Sequence, residues 1–161
     1  MVQADLNIIL PEIVLSVYAM VALLVAVYTR QDKLAPIFTW VTAGLFLVVV
    51  LWVSGITGNT TAFDGMFVND GFARFAKVTI LLSAAAVLIM SQEYMTRRGL
   101  LKFEYPILIA LAAVGMMMMV SAGNLMSLYM GLELQSLALY VVASFRRDSV
   151  KSTEAGRRKI V

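Results

Sequence analysis

One carboxylate stands deep inside an apolar run near the end of the chain. Glu133 lies eight residues after Leu125 and twelve before Phe145, which is about 12 Å and about 18 Å from the ends of a helix rising about 1.5 Å per residue. A charge at that depth in a membrane costs at least ~2.5–3.5 kcal/mol and usually faces a bundle interior, where it marks an ion or proton pathway. Glu133 is therefore the main candidate for proton translocation.

Three hydroxyl side chains accompany this carboxylate. Tyr129, Ser136 and Tyr140 stand four residues before, three after and seven after Glu133, so helical spacing places them on the same face. They are candidates for passing protons toward the carboxyl. The favoured interpretation is structural, because hydroxyls in membrane helices commonly hydrogen-bond to neighbouring helices.

Other charged residues lie near predicted helix starts and have simpler explanations. Arg74 and Lys77 open the third apolar run, where both can extend to the membrane surface, and Asp70 is placed to cap that helix and to pair with Arg74. Glu12 follows Pro11 and is expected in the first turn of a helix, where an anion is stabilised by the helix dipole. Lys77 is kept as a weaker proton-translocation candidate.

The composition excludes several classes of chemistry. The chain has no Cys and no His, which removes disulfides, thiolate or imidazole metal sites and the usual Cys and His catalysts. No phosphate-binding glycine motif is present either. We therefore predict no catalytic residue, no metal site and no cofactor bound by this chain.

The remaining composition indicates a membrane protein. Of the 161 residues, 61% are hydrophobic and 14% charged, against roughly 25% charged in soluble domains. Five runs approach the roughly 20 apolar residues that span a bilayer. They predict an all-α, polytopic protein with one transmembrane domain over residues 1–145, followed by a basic tail over 146–161. The five helices are expected at about 8–28, 34–56, 73–91, 105–121 and 125–145, the last two forming an antiparallel hairpin.

Charge placement predicts the orientation of these helices. Basic residues cluster at positions 30–33, 97–102 and 146–159 and give the net charge of +3. In the N-terminal segment and the second loop, the only charged side chains are the acidic residues Asp5, Asp64 and Asp70. The positive-inside rule places the N-terminus outside and the tail in the cytoplasm. Clusters between apolar runs indicate membrane topology, so the lipid bilayer and not nucleic acid is the expected partner.

A longer motif resembles a known family. The run from Phe103 to Gly156 contains Gly-Leu-Glu-Leu-Gln-Ser-Leu at residues 131–137, and Asp70 to Lys77 reads Asp-Gly-Phe-Ala-Arg-Phe-Ala-Lys. Both resemble subunit N of the bacterial proton-pumping NADH:quinone oxidoreductase, complex I, which is related to mitochondrial NADH dehydrogenase subunit 2. The resemblance covers about the last 90 residues strongly and the first two helices weakly.

This resemblance implies an antiporter-like subunit of a proton-translocating membrane arm in the bacterial inner membrane. By analogy, Glu133 matches the family's fifth-helix glutamate, which pairs with a lysine on a broken seventh helix. The expected partners are other membrane-arm subunits of complex I. NADH, FMN, the iron–sulfur clusters and quinone belong to the implied complex and not to this chain.

The resemblance leaves alternatives open, because family members have roughly fourteen helices built around inverted repeats and this chain offers five. The sequence after Gly156 departs from the family and predicts a frameshift, a premature stop or a fragment. A cation/proton antiporter component and a non-functional truncated remnant are the competing hypotheses. For the chain alone we expect no NADH oxidation.

Overall fold

The computed structural model describes residues 2–29, 35–97 and 102–144. The elements in chain order are α1 (Val2–Thr29), α2 (Ala35–Gly55), β1 (Thr60–Ala62), β2 (Phe67–Asn69), α3 (Gly71–Arg97), α4 (Glu104–Val120) and α5 (Leu125–Ala143). The predicted all-α class is confirmed, with one short hairpin added to it. The predicted tail over 146–161 and the basic residues Arg30, Lys33 and Arg98 lie outside the described residues.

The helices follow the apolar runs closely, with two exceptions. Each end of α2, α4 and α5 lies within two residues of its predicted position. In contrast, α1 begins at Val2 instead of residue 8, and α3 continues to Arg97 instead of ending at Ser91. The extra turns of α3 include the good helix formers Gln92, Glu93, Met95 and Arg97. An ion pair of 2.5 Å between Glu93 and Arg97 also joins positions four residues apart.

Four of these helices are long and apolar enough to cross a membrane. They are the segments Leu6–Tyr28, Ala35–Gly55, Gly71–Arg97 and Leu125–Ala143. The fifth helix, α4, is apolar but has only 17 residues, the lower end of the range of about 17–25 residues for a spanning helix.

The short helix α4 is the centre of the bundle, since it contacts α1, α2, α3 and α5. Its inner residues join a core that includes Phe46 of α2, Leu81 and Leu88 of α3, and Met117 of α4 itself. At the other end of α4, the hydroxyl of Tyr105 donates to Oγ of Ser91 at 3.0 Å. Although α4 is short, its contacts with four neighbouring helices hold its position in the bundle.

Helices α4 and α5 form the expected hairpin, and two glycines set how closely they pack. A Cβ added to Gly115 would lie 2.7 Å from the backbone nitrogen of Gln135 and 2.8 Å from the carbonyl oxygen of Gly131. Such distances exclude a side chain at Gly115. Asn124 begins α5 by accepting a hydrogen bond from the N–H of Ser127 at 2.8 Å, an N-cap.

The segment between α2 and α3 contains a β-hairpin that the sequence analysis did not predict. Thr60 pairs with Asn69 and Ala62 with Phe67 in antiparallel register. We call residues 60–69 the loop-two hairpin. It is attached to the α4–α5 turn because the N–H of Val68 donates to the carbonyl of Ser121 at 2.7 Å and that of Gly123 to the carbonyl of Met66 at 2.9 Å.

Candidate functional site

Glu133 lies in the middle of α5 on the face turned away from the bundle. Gly131 contacts α4, and two residues along a helix correspond to a rotation of about 200°. The Glu133 side chain is accordingly exposed. Among the described residues it forms no ion pair and no hydrogen bond with another side chain. Glu133 therefore does not face the interior formed by the described helices, because the contact of Gly131 with α4 turns it outward.

The hydroxyl candidates share this outward face. Tyr129 is 60% exposed, whereas Ser136 and Tyr140 are half-buried. The exposed apolar side chains Leu132 and Leu137 flank them. One long side of α5 therefore carries a carboxyl and three hydroxyls that the other described helices cover only in part.

Lys77 has a different environment from the one its position in the sequence indicates. Its side chain is buried, with a relative exposure of 1%, and its Nζ lies 2.6 Å from Oε1 of Glu12. The expectation that Lys77 extends to the membrane surface is wrong. The reason is that α1 supplies a carboxylate inside the bundle, next to the first turns of α3.

Glu12 was expected in the first turn of α1 and instead lies ten residues beyond Val2, about 15 Å along the helix. It is buried, at 2% exposure. Its second oxygen, Oε2, has no hydrogen-bond partner among the described residues. Pro11 lies inside α1 and has no N–H to give to the carbonyl of Asn7 one turn earlier. The carboxylate is thus held by Lys77 and not by the start of a helix.

Arg74 also differs from its predicted pairing. Asp70 does cap α3, because its Oδ1 accepts the N–H of Ala73 at 2.7 Å. The guanidinium of Arg74 donates to the carbonyl of Gly58 and forms no ion pair with Asp70 in the described part of the chain. Arg74 therefore ties the loop to α3 and takes no part in the buried pair.

The loop-two hairpin closes the bundle over Lys77. The ring of Phe67 lies with its centroid 4.7 Å from Nζ of Lys77, a distance at which a cation and an aromatic face attract each other. Phe67 is itself buried and forms a bridge to Ala122 in the α4–α5 turn. The hairpin thus separates the ion pair from the space beyond the bundle end.

The structure therefore sorts the predicted site residues into two places. Lys77 belongs to an internal ion pair, whereas Glu133, Tyr129, Ser136 and Tyr140 occupy the outer side of α5. Glu12 was not predicted as the partner of Lys77, although two opposite charges in otherwise apolar runs were a signal for this pair. Within the described ranges, no three acidic side chains are grouped so that they could hold a metal ion.

Comparison with known proteins agrees with the resemblance found in the sequence. The profile of the family described as NADH:quinone oxidoreductase/Mrp antiporter, TM, matches residues 122–161, which include Glu133. Over 163 aligned residues and all of this chain, NADH-quinone oxidoreductase subunit N of Jannaschia sp. is 62% identical. Subunit N of Rhodobacter capsulatus is 61% identical, also over the whole chain, and that of Rhodospirillum rubrum is 46% identical over 94% of it.

The relatives are longer than this chain, which covers 34% of the first two and 32% of the third. It therefore spans about a third of the length of the curated relatives it matches. Its several apolar helices and these relatives together identify a multi-pass membrane protein. The identity extends along all of the chain, so the chain is similar from end to end to about a third of an NADH-quinone oxidoreductase subunit N.

Proposed function

We propose that the chain is part of a membrane-arm subunit of a proton-translocating NADH:quinone oxidoreductase, where it contributes part of a proton channel coupled to electron transfer from NADH to quinone. The observation that carries this proposal is the 62% identity to subunit N over the entire chain. The other membrane-arm subunits and the lipid bilayer of the bacterial inner membrane are its proposed partners.

Glu133 is the proposed proton carrier of this part of the channel. It is the one acidic residue of α5, and its position in the middle of that helix supports the role. The partly uncovered side of α5 gives the carboxyl access to a further helix that would supply a counter-charge. Tyr129, Ser136 and Tyr140 are the proposed hydroxyls along its path. Lys77, in the interior of the bundle, is a weaker candidate.

The redox chemistry is assigned to other subunits. NADH, FMN, the iron–sulfur clusters and quinone are the cofactors and substrates of the proposed complex, and none is proposed to bind here. The chain offers no cysteine for a cluster and no glycine-rich phosphate loop. Its contribution is to hold and pass protons while electron transfer takes place elsewhere.

Association with the complex tests this proposal directly. Source membranes are solubilised in mild detergent, separated by native size, and probed in a denaturing second dimension with an antibody against residues 58–72. Migration with a large NADH-oxidising assembly supports the proposal, and the apparent mass against 17.7 kDa reports the length of the chain in that assembly. Finding the chain only in a small free species overturns it.

A second candidate is a component of a cation/proton antiporter, because the matching family description also includes the Mrp antiporter. Such a protein exchanges cations for protons without NADH. Everted membrane vesicles containing the chain and a fluorescent pH indicator separate the two functions. Sodium-dependent proton movement without NADH supports the antiporter, whereas movement that requires NADH supports the oxidoreductase.

A further inference from the structure

Glu12 has no role in the function proposed above, which depends on Glu133 and includes Lys77 only as a weaker candidate. A buried ion pair is weak evidence for a purely stabilising role, since hydrophobic residues of similar volume often stabilise a protein at least as well. Ionisable groups inside membrane helices are rare and usually functional. The geometry of this pair shows what it can do.

The two oxygens of Glu12 have different surroundings. Both oxygens are buried and neither has a hydrogen bond of good geometry among the described residues, but Oε1 lies 2.6 Å from Nζ of Lys77 in an ion pair. Buried polar atoms are nearly always paired. A proton can therefore add to Oε2 without breaking the contact between Oε1 and Lys77.

A second unpartnered atom lies at the same end of the bundle. Oγ of Ser121 is buried and has no hydrogen-bond partner in the described part of the chain. The carbonyl of Ser121 accepts a hydrogen bond from the N–H of Val68. Val68 is the neighbour of Phe67, whose ring covers Lys77. Ser121 and Lys77 also lie at similar heights along the bundle. Ser91 of α3 and Tyr105 of α4 are hydrogen-bonded to each other and give a common reference level. Along α3, Lys77 lies fourteen residues or about 21 Å from Ser91. Along α4, Ser121 lies sixteen residues or about 24 Å from Tyr105 in the same direction.

The charged groups on the neighbouring elements are engaged elsewhere. Asp70 caps α3 and Arg74 binds the carbonyl of Gly58, while Asp64 is exposed in the turn of the loop-two hairpin. Glu104 begins α4 at the opposite end, where Glu93 and Arg97 pair with each other. Neither α2 nor the strands β1 and β2 carry a charged residue. Lys77 is thus the sole described ion-pair partner of Glu12.

We infer that Glu12 is a second proton-binding carboxyl of this chain, with Lys77 as its fixed counter-charge and the loop-two hairpin as its cover. A hydronium ion at the hairpin end gives a proton to Oε2: its own O–H bond breaks and leaves water, an O–H bond to Oε2 forms, and the net charge of the pair changes from zero to +1. Lys77 keeps its own proton. The site is distinct from Glu133, which lies on the outer side of α5.

This inference rests on the proposed function only for its place in a proton pathway, because proton binding itself needs neither NADH nor quinone. The test uses the full chain in lipid nanodiscs and infrared difference spectra between alkaline and acidic buffer. A protonated carboxyl in apolar surroundings has a C=O stretching band distinct from that of carboxyls in water. We expect this band in the unmodified chain and a clearly lower amplitude in Glu12→Gln, where Glu133 is the remaining carboxyl in the middle of a membrane helix.

Two kinds of variant keep the test decisive. Glu12→Gln combined with Lys77→Met removes both charges, so no unpaired charge is left to prevent folding. Circular dichroism checks the helix content of this double variant, and the amplitude of the band is expected to fall there too. Glu93→Gln is the matched control, because it removes an exposed carboxyl that is also paired with a cation, and it is expected to keep the band. A band of unchanged amplitude in both Glu12 variants overturns the inference.

Glu133→Gln separates this inference from the proposed function. Persistence of the Glu12 band in Glu133→Gln is expected and supports a separate site. Loss of the band in that variant assigns it to Glu133 and overturns the inference. The association experiment described above is independent of either spectrum, so a chain that never joins an NADH-oxidising assembly contradicts the proposed function while the Glu12 band still supports proton binding.

Discussion

Nζ of Lys77 in α3 lies 2.6 Å from Oε1 of Glu12 in α1, and both side chains are almost completely buried. The contact joins two helices across the interior of the bundle, directly beneath the ring of Phe67. Because both groups are charged and removed from water, the cost of burying each charge is offset mainly by its attraction to the other. The stability of this end of the protein should therefore respond strongly to the loss of one partner.

Replacing Lys77 by Met should destabilise the bundle by about 3–5 kcal/mol, because the carboxylate of Glu12 is left buried and unpaired. The double variant Glu12→Gln, Lys77→Met should recover most of that loss. Unfolding in mixed micelles with increasing denaturing detergent measures both. Arg97→Met is the matched control, since its pair with Glu93 is exposed and should cost at most about 0.5 kcal/mol. Equal losses for Lys77→Met and Arg97→Met would contradict a compensated buried pair.

Glu133→Gln should reduce NADH-driven proton pumping several-fold in the complete oxidoreductase, and quinone reduction along with it, while assembly is preserved. Gln has the shape of Glu but cannot release a proton. Pumping is measured with a pH indicator in proteoliposomes, and assembly by native gel. Glu93→Gln serves as the control, because that exposed carboxyl lies near the end of α3. Pumping at the unmodified rate in Glu133→Gln would remove this residue from the pathway.

The purified chain alone should not oxidise NADH. It has no cysteine and no histidine, and no nucleotide-binding motif supplies a place for hydride transfer. The decrease of NADH absorbance with an artificial electron acceptor measures this activity. A rate above that of empty nanodiscs that scales with the concentration of the chain would show that a redox site exists in it.

Gly115→Ala should weaken the packing of α4 against α5 by about 1–3 kcal/mol, the usual cost of forcing atoms into a packed interface. The added methyl group would lie 2.7 Å from the backbone nitrogen of Gln135. Gly44→Ala is the matched control, because its added Cβ has no atom within 4 Å and Ala favours a helix over Gly. The change in the free energy of unfolding, measured in denaturing detergent, should therefore have opposite signs in the two variants. A Gly115→Ala variant as stable as the unmodified chain would refute the close approach of α4 to α5.

The predicted orientation can be tested with single cysteines, because the chain has none of its own. Thr61 lies in the loop-two hairpin and Thr96 near the end of α3, and both are exposed. A membrane-impermeant maleimide applied to intact cells or spheroplasts should label Thr61→Cys, whereas Thr96→Cys should react only after the membrane is opened. The opposite pattern would reverse the orientation predicted from the basic loops.

The helices and their order follow from the sequence because each apolar run is long enough to meet the hydrocarbon core of a bilayer. The turn at residues 121–124 is short, which makes α4 and α5 an antiparallel hairpin, and Asn124 supplies the cap of α5. Loop two was harder to predict. Its strands have three residues each, too few to give a clear alternating pattern, and they depend on hydrogen bonds to a turn more than fifty residues later.

Sequence alone determined that Glu133 sits in the middle of a membrane helix, since depth depends only on the distance along one apolar run. Tertiary structure decided which way it faces, because the contact between Gly115 and Gly131 sets the rotation of α5 against α4. The partner of Lys77 was also decided in three dimensions. The start of α1 at Val2 sets how far along the helix Glu12 lies. The packing of α1 against the other helices then brings the Glu12 carboxylate to the Lys77 amine, because an ion pair depends on distance in space and not on separation along the chain.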